Sequence, residues 1–212
     1  MMSAMAYPVH VAVEPVHSNR NRLTTAFRLI LAVPHLILVG GIGFGFAYDR
    51  GGSRGFSVEN GLLGLVAIVL AVISWVTILV AGQHISGIRQ FTSFYLRWRL
   101  RALAYLMLLE DQYPPFGDQP YPTSITIDDP IGERRRLSVL VRIFLAIPHF
   151  IVLALLIVAW WIVTVVAWVT IVFSGMYPAG MYDFAVGCLR WFLRVEAYVL
   201  LMVDEYPPFS LI

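Results

Sequence analysis

Read by the spacing of its apolar and polar residues, the chain alternates short strand-like pieces, long uncharged apolar runs and helices that carry arginines. VHVAV (9–13) and SITI (124–127) alternate in character between proline-containing turns, which predicts a short strand in each. The polar stretches that follow, HSNRNR and GERRR, can open a helix, with Ser18 or Asn19 as N-cap. Gly61 to Ala81 has no charge and matches the roughly 20 residues that cross a bilayer core. Ile143 to Ser174 is also uncharged and is longer than one crossing needs. Gln90 to Glu110 and Asp183 to Val203 read as helices ended by Pro-Pro. They are too charged to span comfortably, so they are expected to lie in the membrane interface.

The order of these parts is written twice. Tyr7-Pro8, Arg20, Arg22, Arg28 and Pro34-His35 recur in constant register as Tyr121-Pro122, Arg134, Arg136, Arg142 and Pro148-His149. WVTILVAG at Trp75 returns as WVTIVFSG at Trp168, LRW at Leu96 as LRW at Leu189, and LLEDQYPPF as LMVDEYPPF. The chain is therefore a tandem duplication, 1–120 and 121–212, forming one membrane-embedded unit. The first copy holds an extra Gly-rich stretch, 40–60, expected as an extramembrane loop.

The expected fold class is an all-α membrane protein with a tandem internal repeat, four transmembrane helices, two interfacial amphipathic helices and short cytoplasmic strands. Leu29 to Ala47 and Gly61 to Ala81 would be the first two crossings. The second copy would make its two with a tight turn near Trp160 and Trp161; one long tilted helix through 143–174 is the alternative. The arginines then gather on one side, which sets the N-terminus and that side as cytoplasmic.

Composition agrees with the pattern: 59% of residues are hydrophobic and 13% charged, with a mean hydropathy of +0.76, far from the roughly 25% charge of a soluble domain. A multi-pass protein of the cell membrane is expected. The first residues lack a basic segment followed by an apolar one, so no cleavable signal peptide is expected. One cysteine, Cys188, rules out an internal disulfide and an all-cysteine metal site. A net charge of +2 is too small to imply a nucleic-acid partner.

Pro34-His35 and Pro148-His149 stand inside apolar runs. A proline there frees the carbonyl four residues earlier, Ile30 or Phe144, and kinks the helix. A histidine at membrane depth is a functional candidate. The reading adopted is that His35 and His149 are neutral, lie near the repeat interface, and each donate to an oxygen of another helix. No cofactor or metal is expected; haem between the two histidines, or a lipid or proton site there, is the alternative. Arg97 and Arg101, and again Arg190 and Arg194, are four apart and share a helix face. They could clamp the phosphate of an anionic lipid, or be neutralised by Asp111 and Asp204.

The combination of YP near the start, PH in an LA-[VI]-PH context, LRW-x2-R and D-x-YPPF resembles an actinobacterial integral membrane family known as a domain of unknown function, family 4389. The resemblance covers nearly the whole chain and implies a multi-pass membrane protein, with no catalytic residues to carry over. No nucleophile elbow, zinc-protease, phosphate-loop or paired-cysteine pattern is present, so nothing argues for an enzyme. The expected function is a membrane accessory or scaffold protein, subunit of or partner to a larger membrane complex, holding anionic lipid at its cytoplasmic face.

Overall fold

The computed structural model describes residues 7–42, 61–130, 134 and 136–212. Within them the order is β1 (Val9–Val13), α1 (Arg22–Ala26), α2 (Arg28–Val39), α3 (Gly61–Ala81), α4 (Ser86–Leu106), β2 (Thr123–Ile127), α5 (Arg136–Ser174) and α6 (Ala179–Val199). Most of the expected Gly-rich loop, 43–60, lies outside the described residues, as do most of GERRR and the first six residues.

The strands form where alternation predicted them, and they pair with each other. β1 and β2 are antiparallel, with Val9 opposite Ile127 and Val11 opposite Ile125. Val9, Val11, Thr123 and Ile125 turn inward, while His10, Ala12, Ser124 and Thr126 face out. The chain is thus mostly helical, with one small sheet. The N-cap of α1 is Asn21, whose side chain accepts from the Thr24 N–H at 3.1 Å. Asn19, one of the expected caps, instead takes a left-handed turn at φ 56.

The expected turn near Trp160 and Trp161 is absent: α5 runs unbroken for 39 residues, with Pro148 inside it. Its buried residues fall on one line, Val139, Arg142, Ala146, His149, Leu153, Trp160, Thr164, Ala167 and Ile171. That spacing of three and four marks one helix face. The first copy builds the same path from two helices. The chain leaves α2 at Gly40 and comes back at Gly61, where a side chain would strike the Gly40 nitrogen and come within 2.6 Å of the Leu38 oxygen. With φ 64, only glycine suits that point. The equivalent step in copy two is Leu153 to Ala154, with no interruption. Two helices, α3 and α5, are long and apolar enough to cross a membrane; α2, with 12 residues, is not. Four transmembrane helices are therefore replaced by one continuous and one interrupted long helix.

The copies are joined reciprocally. Trp75 near the end of α3 donates to the Val139 carbonyl at the start of α5, at 3.0 Å, and Trp168 near the end of α5 donates to the Thr25 carbonyl of α1, also at 3.0 Å. Each long helix thus begins where the other ends, as a pseudo-two-fold relation requires. The arginine-bearing helices are not interfacial: α4 and α6 are the most buried elements, packed on each other under the sheet. Each ends in a left-handed leucine, Leu108 or Leu201, both at φ 63. The N–H groups of Leu109 and Met202 reach back to Ala104 and Ala197 at 2.8 and 2.9 Å, closing a Schellman turn. A leucine there costs roughly 1–2 kcal/mol relative to right-handed backbone, which the turn's own contacts must offset.

Candidate functional site: one clasp in each copy

Those turns are where the repeated motifs meet. In α2, Arg28 and His35 are seven residues apart and share a face with Ala32 and Val39. In copy one, Asp111 sits between two arginines, 3.1 Å from Arg20 and 2.8 Å from Arg28. In copy two, Asp204 is 3.2 Å from Arg134 and 2.8 Å from Arg142. Other guanidinium donors take carbonyls of the turn: Arg20 bonds Leu108 and Leu109, Arg28 bonds Glu110, Arg134 bonds Leu201, and Arg142 bonds Tyr198 and Val203. Arg28 also lies 4.0 Å over the Tyr105 ring, and Arg142 4.5 Å over Tyr198. Apart from Tyr198, whose carbonyl also accepts from the Leu201 N–H at 3.1 Å, these carbonyls lie past the last helical bond, so the arginines complete the helix ends. Burial lowers the Arg20 and Arg134 guanidinium pKa values, the latter to about 10, and the paired aspartates oppose that loss.

Above each arginine group the histidine is boxed by aromatics of its own copy. His35 stacks on Phe116 at 4.5 Å, with Tyr113 at 5.0 Å. His149 stacks on Phe209 at 4.0 Å, with Tyr206 at 4.7 Å. The indole of Trp98 donates to His35 Nδ1 at 3.0 Å, and Trp191 donates to His149 Nδ1 at 3.2 Å. The histidines are therefore acceptors and not donors at this bond, and their partners are not across the repeat interface. Each Nε2 is buried without a hydrogen-bond partner among the described residues. The turn opened by Pro148 is met by Tyr206, whose hydroxyl donates to the Leu145 carbonyl at 3.1 Å. Pro34 and Pro148 themselves face outward. The two histidines occupy separate boxes. Among the described residues, no group of three His, Cys, Asp or Glu side chains could hold a metal ion.

The structure divides the four arginines singled out by spacing. Arg97 makes a bidentate pair with Asp118 at 3.0 and 2.8 Å, and Arg101 bonds Gly117 and the same carboxylate. The Arg97 hydrogen bond holds the Asp118 carboxyl below its usual range. Arg190 reaches the Val11 carbonyl at 3.3 Å and Arg194 the Ile212 carbonyl at 2.6 Å. Neither is paired with an Asp or Glu among the described residues. Asp111 and Asp204 thus neutralise the arginines ahead of the long helices and not these four.

Sequence reasoning missed Arg99 and Glu196. They form a buried ion pair between α4 and α6 at 2.8 Å, and Tyr95 donates to the same carboxylate at 3.1 Å. Arg99 also bonds the carbonyls of Val39 and Gly41, where α2 ends. In copy two the helix does not end there, and the equivalent residue is Phe192. The missed signal was this departure from the repeat: Arg99 against Phe192, Glu196 against Leu103.

No curated protein and no solved structure matches this chain. A family does match, over residues 56–117 and 136–210, once in each copy. The second match holds Arg142, His149, Trp191, Asp204 and the YPPF motif, and the first holds Trp98, Asp111 and its own YPPF. The chain therefore belongs to the family described as Domain of unknown function (DUF4389).

Proposed function

We propose that this chain is a multi-pass membrane scaffold or accessory protein, whose long-helix faces meet lipid and the helices of a partner complex. The observation that carries the reading is the direction in which residues point. Around α3 and α5 the surface is apolar, with Val69, Val72, Leu155, Val165 and Phe173 all well exposed, while the arginines ahead of these helices turn inward to aspartates and carbonyls. A surface of this kind is stable in a bilayer or against other apolar helices. In this reading the N-terminus lies on the cytoplasmic side.

Anionic lipid is assigned to the second arginine pair. No Asp or Glu among the described residues pairs with Arg190 or Arg194, which leaves their charge to a phosphate; Asp118 already neutralises Arg97 and Arg101. A juxtamembrane arginine contributes about 1 kcal/mol of attraction to an anionic surface. The test is lipid analysis of the purified protein after Arg190→Gln and Arg194→Gln. The expected outcome is less co-purified anionic lipid with little change in thermal midpoint, and unchanged lipid sinks the assignment.

A further inference from the structure

The duplication supplies an internal control, because a group that the fold needs should be present in both copies. Two arginines and one aspartate at each clasp pass that test, with matching distances. Glu110 does not. It precedes Asp111, it is 2% exposed, and its counterpart before Asp204 is Val203. The same turn therefore closes with a valine.

Glu110 Oε1 is buried without a hydrogen-bond partner among the described residues, and so is Nε of Arg20. The charges acting on the carboxyl come from several neighbouring segments: Arg20 from the segment before α1, Arg28 from the first residue of α2, Asp111 from the same turn, and Glu14 from the segment after β1. Tyr182 of α6 and Tyr121 before β2 complete the ring. The Tyr182 hydroxyl donates to the Glu14 carbonyl at 3.1 Å and to the Leu109 carbonyl at 3.4 Å. Its counterpart in copy one is Arg89, which bonds Met202 at the other clasp and pairs with Asp129. Burial, Glu14 and Asp111 disfavour a charge on Glu110, while Arg20 and Arg28 favour one.

We propose that Glu110 is a proton-binding site at the junction of the two copies, a neutral acid that releases its proton to become a carboxylate beside Arg20. Burial pushes its carboxyl up to about 7, against the pull of Arg20, so the exchange falls in the neutral range. Once ionised, the carboxylate is drawn toward Arg20, the opposite charge that acts on it most strongly. Arg20 in turn holds the Leu108 and Leu109 carbonyls, which ties the end of α4 to the segment that leads into α1.

In the unfolded chain this acid titrates near its ordinary value, about 4.3. The folded chain holds the proton more tightly, so the stability owed to it is lost as pH rises through the window up to about 7. The test compares wild type with Glu110→Gln, which mimics the neutral acid, and Glu110→Val, which copies Val203. Near pH 4, below the unfolded-state value, the three should differ least in melting temperature in detergent. Toward about pH 8 the wild type should fall progressively below both variants. Infrared difference spectra between those conditions should show a protonated carboxyl band in wild type that Glu110→Gln lacks. A pH-independent gap, an absent band, or failure of both variants to fold near pH 4 each overturns the proposal, the last because the fold would then require the carboxyl.

Discussion

An indole N–H only donates, so the Trp98–His35 and Trp191–His149 bonds require the lone pair on Nδ1 and place the proton of a neutral imidazole on Nε2. His35→Leu or His149→Leu would leave a buried indole donor unpaired. Each should cost about 1–3 kcal/mol, measured by thermal or denaturant unfolding in detergent. Because the boxes share no residue, the double change should equal the sum within about 0.5 kcal/mol. A much larger loss would mean that the boxes are coupled. Adding Trp98→Phe to His35→Leu should recover part of the loss, since the orphaned donor is then gone.

Helices with one apolar composition are built in two ways. α5 is continuous, whereas α2 and α3 meet at Gly40 and Gly61 after an intervening segment. Joining Val39 directly to Gly61 reproduces the Leu153–Ala154 step of copy two. This deletion should leave a folded, membrane-inserted protein with a higher helical signal per residue by circular dichroism, because the last carbonyls of α2 gain intrahelical partners. A collapse of the helical signal would show that the two helices are not in register for fusion. The periodicity of α5 is legible in the amino-acid sequence: small or weakly polar residues, Ala146, His149, Thr164 and Ala167, recur on one face of an otherwise apolar run. Its length suggests a hairpin instead, because a helix longer than a bilayer is thick is unusual in isolation.

Across the whole molecule the pseudo-two-fold is broken where Arg99 meets Glu196. The buried pair crosses from one copy to the other, and Arg99 also serves the carbonyls at the end of α2. Removing one partner leaves a charge in the core, so Arg99→Phe and Glu196→Leu should each cost about 3–5 kcal/mol. The double variant, which copies Phe192 and Leu103, should be less destabilised than the sum of the singles. A double-mutant cycle on unfolding in detergent reads this directly, and strict additivity would mean that the two charges do not stabilise each other.

What the sequence by itself determined was local or repeated. Alternation in VHVAV and SITI, two uncharged apolar runs, and the paired motifs gave the strands, the membrane-length helices and the duplication, because each depends on neighbours a few residues apart or on comparison of one copy with the other. Partnerships were decided by tertiary structure alone. Arg28 and Asp111 are 83 residues apart, and Arg142 and Asp204 are 62 apart; Asp111 lies closer in sequence to Arg97 than Asp118 does, yet Asp118 is the partner Arg97 takes. Nor does hydropathy say which way a charged helix faces. α4 and α6 carry arginines suited to an interface, yet they fill the centre, because neighbouring carboxylates and open helix-end carbonyls satisfy those charges at lower cost than a helix end left without partners in an apolar setting.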